Sequence, residues 1–401
     1  MRWILLSFAL LITSLTGTAS ATSVCPFCDA PTLVLAEQVQ MCDHLLLGRL
    51  TGGTPSTDIT AGSSVFEIID VGFSRQDKFQ KGQTIEIPIY VAGKQSALYT
   101  LMGPEERLED WHAPKEINEV GWKYVSEMPL PVTDSDKQTE RLEYFLPWFE
   151  HADTMISADA FAEFAAAPYS VIKPLREKLP REKILKWLQD PNVAVTRTGF
   201  YGLMAGICGK SEDAELLEKK ILVLDADFRL GIEGVMAGYL LLRGEAGLEV
   251  LEDAKMRART AKNAEGEDVQ LPFSETYAVM QALRFMWTYE PDRISKERLK
   301  SSMEILLDRQ ELADLVITDL ARWKHWSVQD RLMKLYWDDD FAIPAIRRAV
   351  VRFLFYCSQD KGELAEGDPI PEHVVRAEKA LAELEEKDPR TVSDAKRFLV
   401  R

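Results

Sequence analysis

The stretch Leu203-Met204-Ala205-Gly206 and its echo Val235-Met236-Ala237-Gly238 decide the fold class that this sequence predicts. Each is followed by a glycine and a second amphipathic segment, and apolar residues keep a helical period from Ser157 onward. Similar segments recur at intervals of roughly 30–45 residues, as in proteins built from stacked helical repeats. We therefore predict that residues 155–401 form a mostly α-helical domain, either an α-solenoid or an irregular helical bundle.

Two segments of this region are similar to HEAT repeats. Asp190-Pro191-Asn192-Val193 leads to Arg197 and an apolar run. Pro344-Ala345-Ile346-Arg347-Arg348-Ala349-Val350 matches the pattern P-x-V-R-x-A-h, in which h is an apolar residue. The resemblance implies that the Asp and Arg side chains support the turn and the neighbouring repeats. It also implies that the apolar positions bury each helix on its partner.

The first part of the chain shows the two-residue period of β-strands. After a helical segment at residues 32–42, strand patterns occupy His44–Leu50, Val65–Val71, Thr84–Val91 and Ala97–Met102. One helix followed by four or five strands predicts a small, strongly bent sheet or barrel. The whole chain is therefore expected to be an α+β protein of two parts, with the β-rich domain at residues 22–103.

The motifs of this β-rich part occur in a characteristic order after a cysteine-rich start: Asp43–Leu50 (DHLLLGRL), Val65–Val71 (VFEIIDV), Phe79–Gly82 (FQKG) and Leu98–Gly103 (LYTLMG). This order resembles the netrin-like, OB-type barrel of tissue inhibitors of metalloproteases and related modules, over residues 25–103. The resemblance implies a barrel and, as one function, inhibition of an exported protease. Family inhibitors chelate the zinc of their target through a free N-terminal cysteine. Joined to the helical part, the domain resembles exported bacterial proteins of uncharacterised function.

The chain begins with the pattern of a secretory signal peptide. Arg2 precedes an apolar run from Trp3 to Leu15, and Ala19-Ser20-Ala21 supplies the small residues of a cleavage site. Removal of residues 1–21 would leave a mature chain beginning at Thr22 in a periplasmic or extracellular compartment. No second long apolar run follows, so we expect no membrane-spanning segment in the mature chain.

The charge of the chain bears on its partners. The formal net charge is −16, and the first part is the more acidic one. Because a phosphate backbone would be repelled, nucleic acid is not an expected partner. A protein partner is consistent with this composition.

Prolines interrupt the segment between the two parts. Five of them would break any long element there: Pro104, Pro114, Pro129, Pro131 and Pro147. We interpret residues 104–154 as an irregular, partly ordered connector. The helical region is then expected to fold as a separable unit.

Cys25-Pro26-Phe27-Cys28 is the motif with the most chemical potential. In thioredoxin-like oxidoreductases a C-P-x-C motif at a helix N-terminus attacks disulfides through its first thiolate. No strand or βαβ pattern surrounds the motif here, so we favour a local disulfide between Cys25 and Cys28 that fastens the start of the chain. Asp29 stands where covalent haem attachment requires His, and no second CxxC completes a zinc site. No cofactor is expected.

The rest of the sequence predicts no catalytic residue and no set of metal ligands. Cys42, Cys208 and Cys357 lie in apolar helical patterns and are predicted to be buried free thiols. A disulfide from Cys42 to the CxxC pair is the alternative. The sequence contains no H-E-x-x-H, no nucleophile elbow and no P-loop pattern.

The segment Ala321–Trp326 is the best candidate for a partner-binding surface, through Arg322, Trp323 and Trp326. Tryptophan and arginine are enriched in interface hot spots. Aromatic residues at helical spacing also fill the groove between repeats. Trp323 and Trp326 are three residues apart and can share one helix face. We expect Trp323 to pack in the core and Trp326, nearer the end of its helix, to be the more exposed.

These features together predict an exported, non-enzymatic interaction or scaffold protein. Its partner would bind the concave face of the solenoid or the N-terminal sheet. One alternative is a thiol–disulfide oxidoreductase that uses Cys25 and Cys28. The other alternative, a protease inhibitor, follows only from the netrin-like resemblance.

Overall fold

A computed structural model describes residues 25–28, 31, 33–57, 62–105, 107–225, 228–363 and 368–397. In this part of the chain a small antiparallel sheet precedes a mostly helical remainder, which confirms the predicted α+β layout. The predicted signal peptide, residues 1–21, and the predicted mature start at Thr22 lie outside the described residues.

The sheet follows a short helix, α1 (Leu35–Gln40), and has the strand order β3-β2-β1-β4-β5. All neighbouring strands in it are antiparallel. Four of its strands overlap the four predicted ones, and β1 and β2 extend beyond the predicted ends. The strands are β1 (His44–Thr54), β2 (Ser63–Ser74), β3 (Thr84–Ile87), β4 (Leu98–Gly103) and β5 (Lys115–Ile117).

Both faces of the sheet are covered, which explains the nearly continuous apolar run of β1. Phe66 and Ile68 of β2 are buried in a small core to which Trp111 also belongs. Leu45 and Leu47 of β1 belong instead to the large core that continues into the helical part. Alternate residues of the sheet therefore serve two different cores.

The prediction of an irregular connector at residues 104–154 is wrong for much of its length. Besides β5, the segment contains α2 (Glu119–Glu127) and α3 (Ser135–Glu143). Asn118 and Asp134 cap these helices by accepting hydrogen bonds from backbone N–H groups of the first turns. Pro129 and Pro131 lie between the two helices and so interrupt neither of them.

The helical part begins at residue 154. Its helices are α4 (Thr154–Ala166), α5 (Tyr169–Ile172), α6 (Arg181–Trp187), α7 (Thr198–Cys208), α8 (Ala214–Leu222), α9 (Ile232–Arg243), α10 (Glu245–Leu251), α11 (Phe273–Tyr289), α12 (Lys296–Ile305), α13 (Ala313–Arg322), α14 (Gln329–Trp337), α15 (Pro344–Gln359), α16 (Glu372–Lys387) and α17 (Pro389–Lys396). A π-helical turn extends α10, and the short strands β6 (Val223–Leu224), β7 (Thr260–Asn263) and β8 (Asp268–Gln270) form a second sheet. Among the described helices, none combines the length and the apolar character that crossing a membrane requires.

Alternate helices pack on one another along the chain. Helix α9 contacts both α7 and α11, and α13 contacts α15. The intervening helices α8 and α10 pack on α9, whereas α14 and α16 pack on α15. The two echoed sequence stretches lie in α7 and α9, so the internal similarity corresponds to two helices in direct contact.

Glycine permits the close approach of α7 and α9. A Cβ atom at Gly238 would lie 2.0 Å from the backbone oxygen of Gly202, a distance that no side chain tolerates. A Cβ atom at Gly206 would lie 2.4 Å from the Cα atom of Gly238. The glycine of each echoed stretch is thus required by the contact between the two helices.

One large apolar core runs from the N-terminal part into the helical part. It includes Cys25 and Leu45 as well as residues of the last helix such as Val392. Polar contacts reinforce this junction, because the carboxylate of Asp159 on α4 accepts hydrogen bonds from the backbone of Leu35 and from the Tyr124 hydroxyl, at 3.1 and 2.7 Å. The two predicted parts are therefore packed against each other through shared side chains.

Candidate functional site

A groove of about 480 Å³ lies between α13 and α15. Its floor contains two small residues, Ala321 and Ala349, one from each helix. Larger side chains surround them: Thr318, Arg322, Lys324, Trp326, Arg352, Phe353, Tyr356, Gln359 and Asp360. The groove combines aromatic surface with both signs of charge.

Asp360 fixes one end of this groove. Its carboxylate accepts a hydrogen bond from the Trp326 indole N–H at 2.7 Å and pairs with the Lys324 ammonium at 2.8 Å. The hydrogen bond from Lys324 is the main cause that lowers the pKa of Asp360 below its usual value. The Trp326 ring also packs edge to face against Phe353. These contacts hold the half-buried indole of Trp326 in one orientation.

The groove also carries positive charge without a close partner. Arg322 lies 3.7 Å from Asp319, but its side chain is 73% exposed. Asp319 itself is buried and pairs with Arg284 at 2.6 Å. Arg352 forms no salt bridge with any carboxylate in the described part of the chain. These two guanidinium groups remain able to receive an anionic group.

The structure separates the three candidate residues of the tryptophan-rich segment. Arg322 and Trp326 line the groove, whereas Trp323 is only 5% exposed and stacks on Trp287 of α11. The two tryptophans do not share a helix face as the spacing suggested, because α13 ends at Arg322. Lys324 then adopts a left-handed backbone conformation, with φ of 54°, and turns the chain.

Half of the groove could not be anticipated from the candidate segment alone. Arg352 and Tyr356 are four residues apart on α15 and therefore lie on one face of that helix. Tyr356 is 43% exposed, whereas the opposite face of the helix is buried. The sequence indicates that Arg352 and Tyr356 share one helix face. It does not indicate that they line the same groove as Arg322, because that depends on the packing of α15 on α13.

The two cysteines of the CxxC motif form a staple in which Cys25 is buried and Cys28 is half-buried. The sulfur atoms of Cys25 and Cys28 lie 2.10 Å apart, at disulfide-bonding distance. Cys25 is 1% exposed, its backbone N–H donates to the carbonyl of Ala165, and Phe27 packs on Phe285. An attacking thiol needs access to its substrate, and the burial of Cys25 denies it that access.

The other three cysteines are free thiols within the described residues. Burial raises the pKa of Cys208 to about 11 and that of Cys357 to about 12. Burial, and then the charge of Asp43, also raises the pKa of Cys42. The alternative disulfide from Cys42 is not formed, and all three thiols are held in their protonated, unreactive form.

No group of three or more metal-ligating side chains occurs in the ranges that the structure describes. Comparisons with protein-family models, with curated proteins and with solved structures find no match to this chain. The groove between α13 and α15 therefore has to be interpreted from its own geometry.

Proposed function

We propose that this chain is an exported, non-enzymatic interaction protein that holds a segment of a partner protein in the groove between α13 and α15. The segment combines an acidic side chain with a neighbouring aromatic or aliphatic one. The single observation that carries the proposal is the position of exposed Tyr356 and half-buried Trp326 beside the guanidinium groups of Arg322 and Arg352.

Two physical arguments support this occupant. Aromatic residues and arginine are the side chains that contribute most to protein–protein binding, because they offer large contact areas and directional donors. A carboxylate placed between Arg322 and Arg352 would receive charge-assisted hydrogen bonds from both guanidinium groups. Neither group donates a hydrogen bond to a carboxylate of the described residues. A volume of about 480 Å³ accommodates a few side chains, which fits a short segment of a partner protein.

The HEAT-like and netrin-like resemblances of the two parts of the chain bear on this proposal. The row of contacting helices supports a HEAT-like stack, and the five-stranded sheet supports a netrin-like N-terminal part. Protease inhibition through a free cysteine receives no such support, because the Cys25 backbone N–H donates to Ala165 and its sulfur belongs to the staple. Thiol–disulfide exchange is likewise opposed by the burial of Cys25.

Site-specific crosslinking tests the proposal and identifies the partner in the same experiment. A photoreactive amino acid replaces Tyr356 in the full chain, expressed in its native cells, and crosslinked peptides are identified by mass spectrometry. The matched control replaces Val375 of α16, which is also exposed, at 51%, but lies outside the groove. We expect position 356 alone to capture one recurrent segment that contains Asp or Glu next to an apolar residue. Equal crosslinking at both positions, or a captured segment without an acidic residue, contradicts the proposal.

A further inference from the structure

A second cavity, of about 420 Å³, lies at the ends of α7 and α9 and beside the 3-10 segment Lys173–Glu177. A single carboxylate, that of Glu290, lines it together with four cationic side chains: Lys173, Arg176, Lys210 and Arg293. The chain as a whole has a formal net charge of −16, so this concentration of positive charge runs against its composition. Its cations come from segments far apart in sequence and are brought together only by the fold.

Two of the four cations are held in place by the protein. The Arg293 guanidinium donates through Nε and Nη2 to the carbonyls of Leu241 and Leu242 at the end of α9, at 2.9 and 2.7 Å. Lys173 pairs with Glu290 at 2.6 Å, and the same carboxylate oxygen accepts the Tyr169 hydroxyl at 2.8 Å. Glu290 Oε1 thereby has two donors, Oε2 accepts no hydrogen bond from the described residues, and the remaining N–H groups of Arg293 stay free to donate.

The other two cations lack a close partner. The Arg176 guanidinium is 63% exposed and lies 3.8 Å from the carboxylate of Glu177, too far for a hydrogen bond. Lys210 forms no salt bridge with the described residues, and the nearby carboxylate of Asp213 is occupied by two hydrogen bonds from Arg181. The positive charge that faces this cavity therefore exceeds the negative charge that the protein provides.

We propose that this cavity binds a small polyanion, a molecule that carries phosphate, sulfate or clustered carboxylate groups. Arg176 and Arg293 supply planar donor pairs that match such oxygen atoms, and Lys210 supplies a point charge. The Ser211 hydroxyl also lines the cavity and provides a neutral donor. A polar, cationic cavity of this size suits a small molecule better than a peptide, whose apolar side chains would find little surface.

Calorimetric titration of the full mature chain tests the proposal. Inorganic phosphate, sulfate and citrate are each titrated in sodium chloride adjusted to one ionic strength, because electrostatic affinities depend on salt. We expect binding of about one equivalent of at least one of these probes, and their relative affinities distinguish a tetrahedral oxyanion from a polycarboxylate. Binding of none of the three above the chloride background overturns the proposal.

Variants then locate the site. The double variant R176A/K210A is expected to lose at least about tenfold in affinity, because two charge-assisted contacts are removed. K183A removes an exposed lysine of α6 that lies outside the cavity, and it is expected to bind as the wild type does. R352E tests independence from the groove between α13 and α15 and should leave anion binding unchanged. Unaltered affinity in R176A/K210A would assign the bound anion to another place and overturn the proposal.

Discussion

Trp323 lies flat on Trp287, with ring centroids 4.3 Å apart and ring planes within 8° of parallel. Trp323 directly follows α13, whereas Trp287 belongs to α11, so the stacked pair joins two helices that are otherwise linked by the Arg284–Asp319 ion pair. The Lys296 ammonium lies 5.1 Å from the centroid of the Trp287 ring and adds a cation–π contact. This junction holds α13, which ends at Arg322, against α11.

The first prediction concerns this junction. Trp323→Ala should lower the free energy of unfolding by roughly 3–5 kcal/mol, because it removes a buried indole and leaves a cavity against Trp287. Trp326→Ala is the matched comparison, since its ring is half-buried, and it should cost clearly less. Chemical denaturation followed by circular dichroism measures both. Equal losses for the two variants would show that the assignment of one tryptophan to the core and the other to the groove is wrong.

The second prediction concerns pH. Burial raises the pKa of Glu163 to about 7, although its ion pair with Arg141 acts in the opposite direction. The folded state therefore binds a proton more tightly than the unfolded state, in which the pKa is about 4.3. The stabilising contribution of Glu163 is present below that lower pKa and is lost as the pH rises through about 7, a change of roughly 3–4 kcal/mol.

The test compares the wild type with Glu163→Gln in denaturation experiments from pH 4 to pH 8. The stability of the wild type relative to this variant should fall as the pH rises, because Gln cannot titrate. Glu177→Gln controls for the loss of one negative charge, at a side chain that is 92% exposed. A constant difference between wild type and Glu163→Gln across the series contradicts the prediction.

The third prediction concerns the boundary at residue 155. A fragment of residues 155–401 should be less stable than one of residues 118–401, because α4 would lose the Tyr124 hydroxyl on Asp159 and the Arg141 guanidinium on Glu163. Urea denaturation of both fragments measures the difference. Identical midpoints would support the separable helical unit that the proline pattern suggested.

The fourth prediction concerns the disulfide staple. The sequence separation of Cys25 and Cys28 is three residues, so closing this loop should stabilise the fold by at most about 1–2 kcal/mol. The double variant C25A/C28A should therefore melt slightly lower than the wild type, and a reductant should lower the wild-type melt without affecting the variant. Thiol labelling shows when the wild type is fully reduced. If its melting temperature is then unchanged, the link between Cys25 and Cys28 does not stabilise the fold.

Much of the fold could be predicted because periodicity reports burial directly. Helices α11 (Phe273–Tyr289) and α15 (Pro344–Gln359) lie in the region predicted to be helical, where apolar residues recur with the period of an α-helix. The sheet was predictable for the same reason, with buried Phe66 and Ile68 alternating along β2. The connector was not, because its prolines mark the ends of elements as readily as they mark irregular structure.

The groove was only half predictable. Arg322 and Trp326 stand close together in the sequence, and their residue types suggested a binding surface. Arg352 and Tyr356 reach the same place through the contact of α15 with α13, which no local pattern encodes. Ala321 and Ala349 leave the space between the helices open, and small residues of this kind carry little signal until the two helices are seen together.

A charge-swap cycle between Arg352 and the acidic residue of the crosslinked segment tests whether the groove between α13 and α15 holds that segment. The affinity of a synthetic peptide with that segment's sequence is measured for the wild type, for R352E, for a peptide with the acidic residue replaced by Lys, and for both changes together. Arg390, exposed and outside the groove, provides the control R390E. We expect R352E and the Lys-substituted peptide each to weaken binding by at least about tenfold. The two changes together should restore part of this loss, and R390E should have no effect. Additive losses without restoration, or equal losses in R352E and R390E, would contradict the proposal.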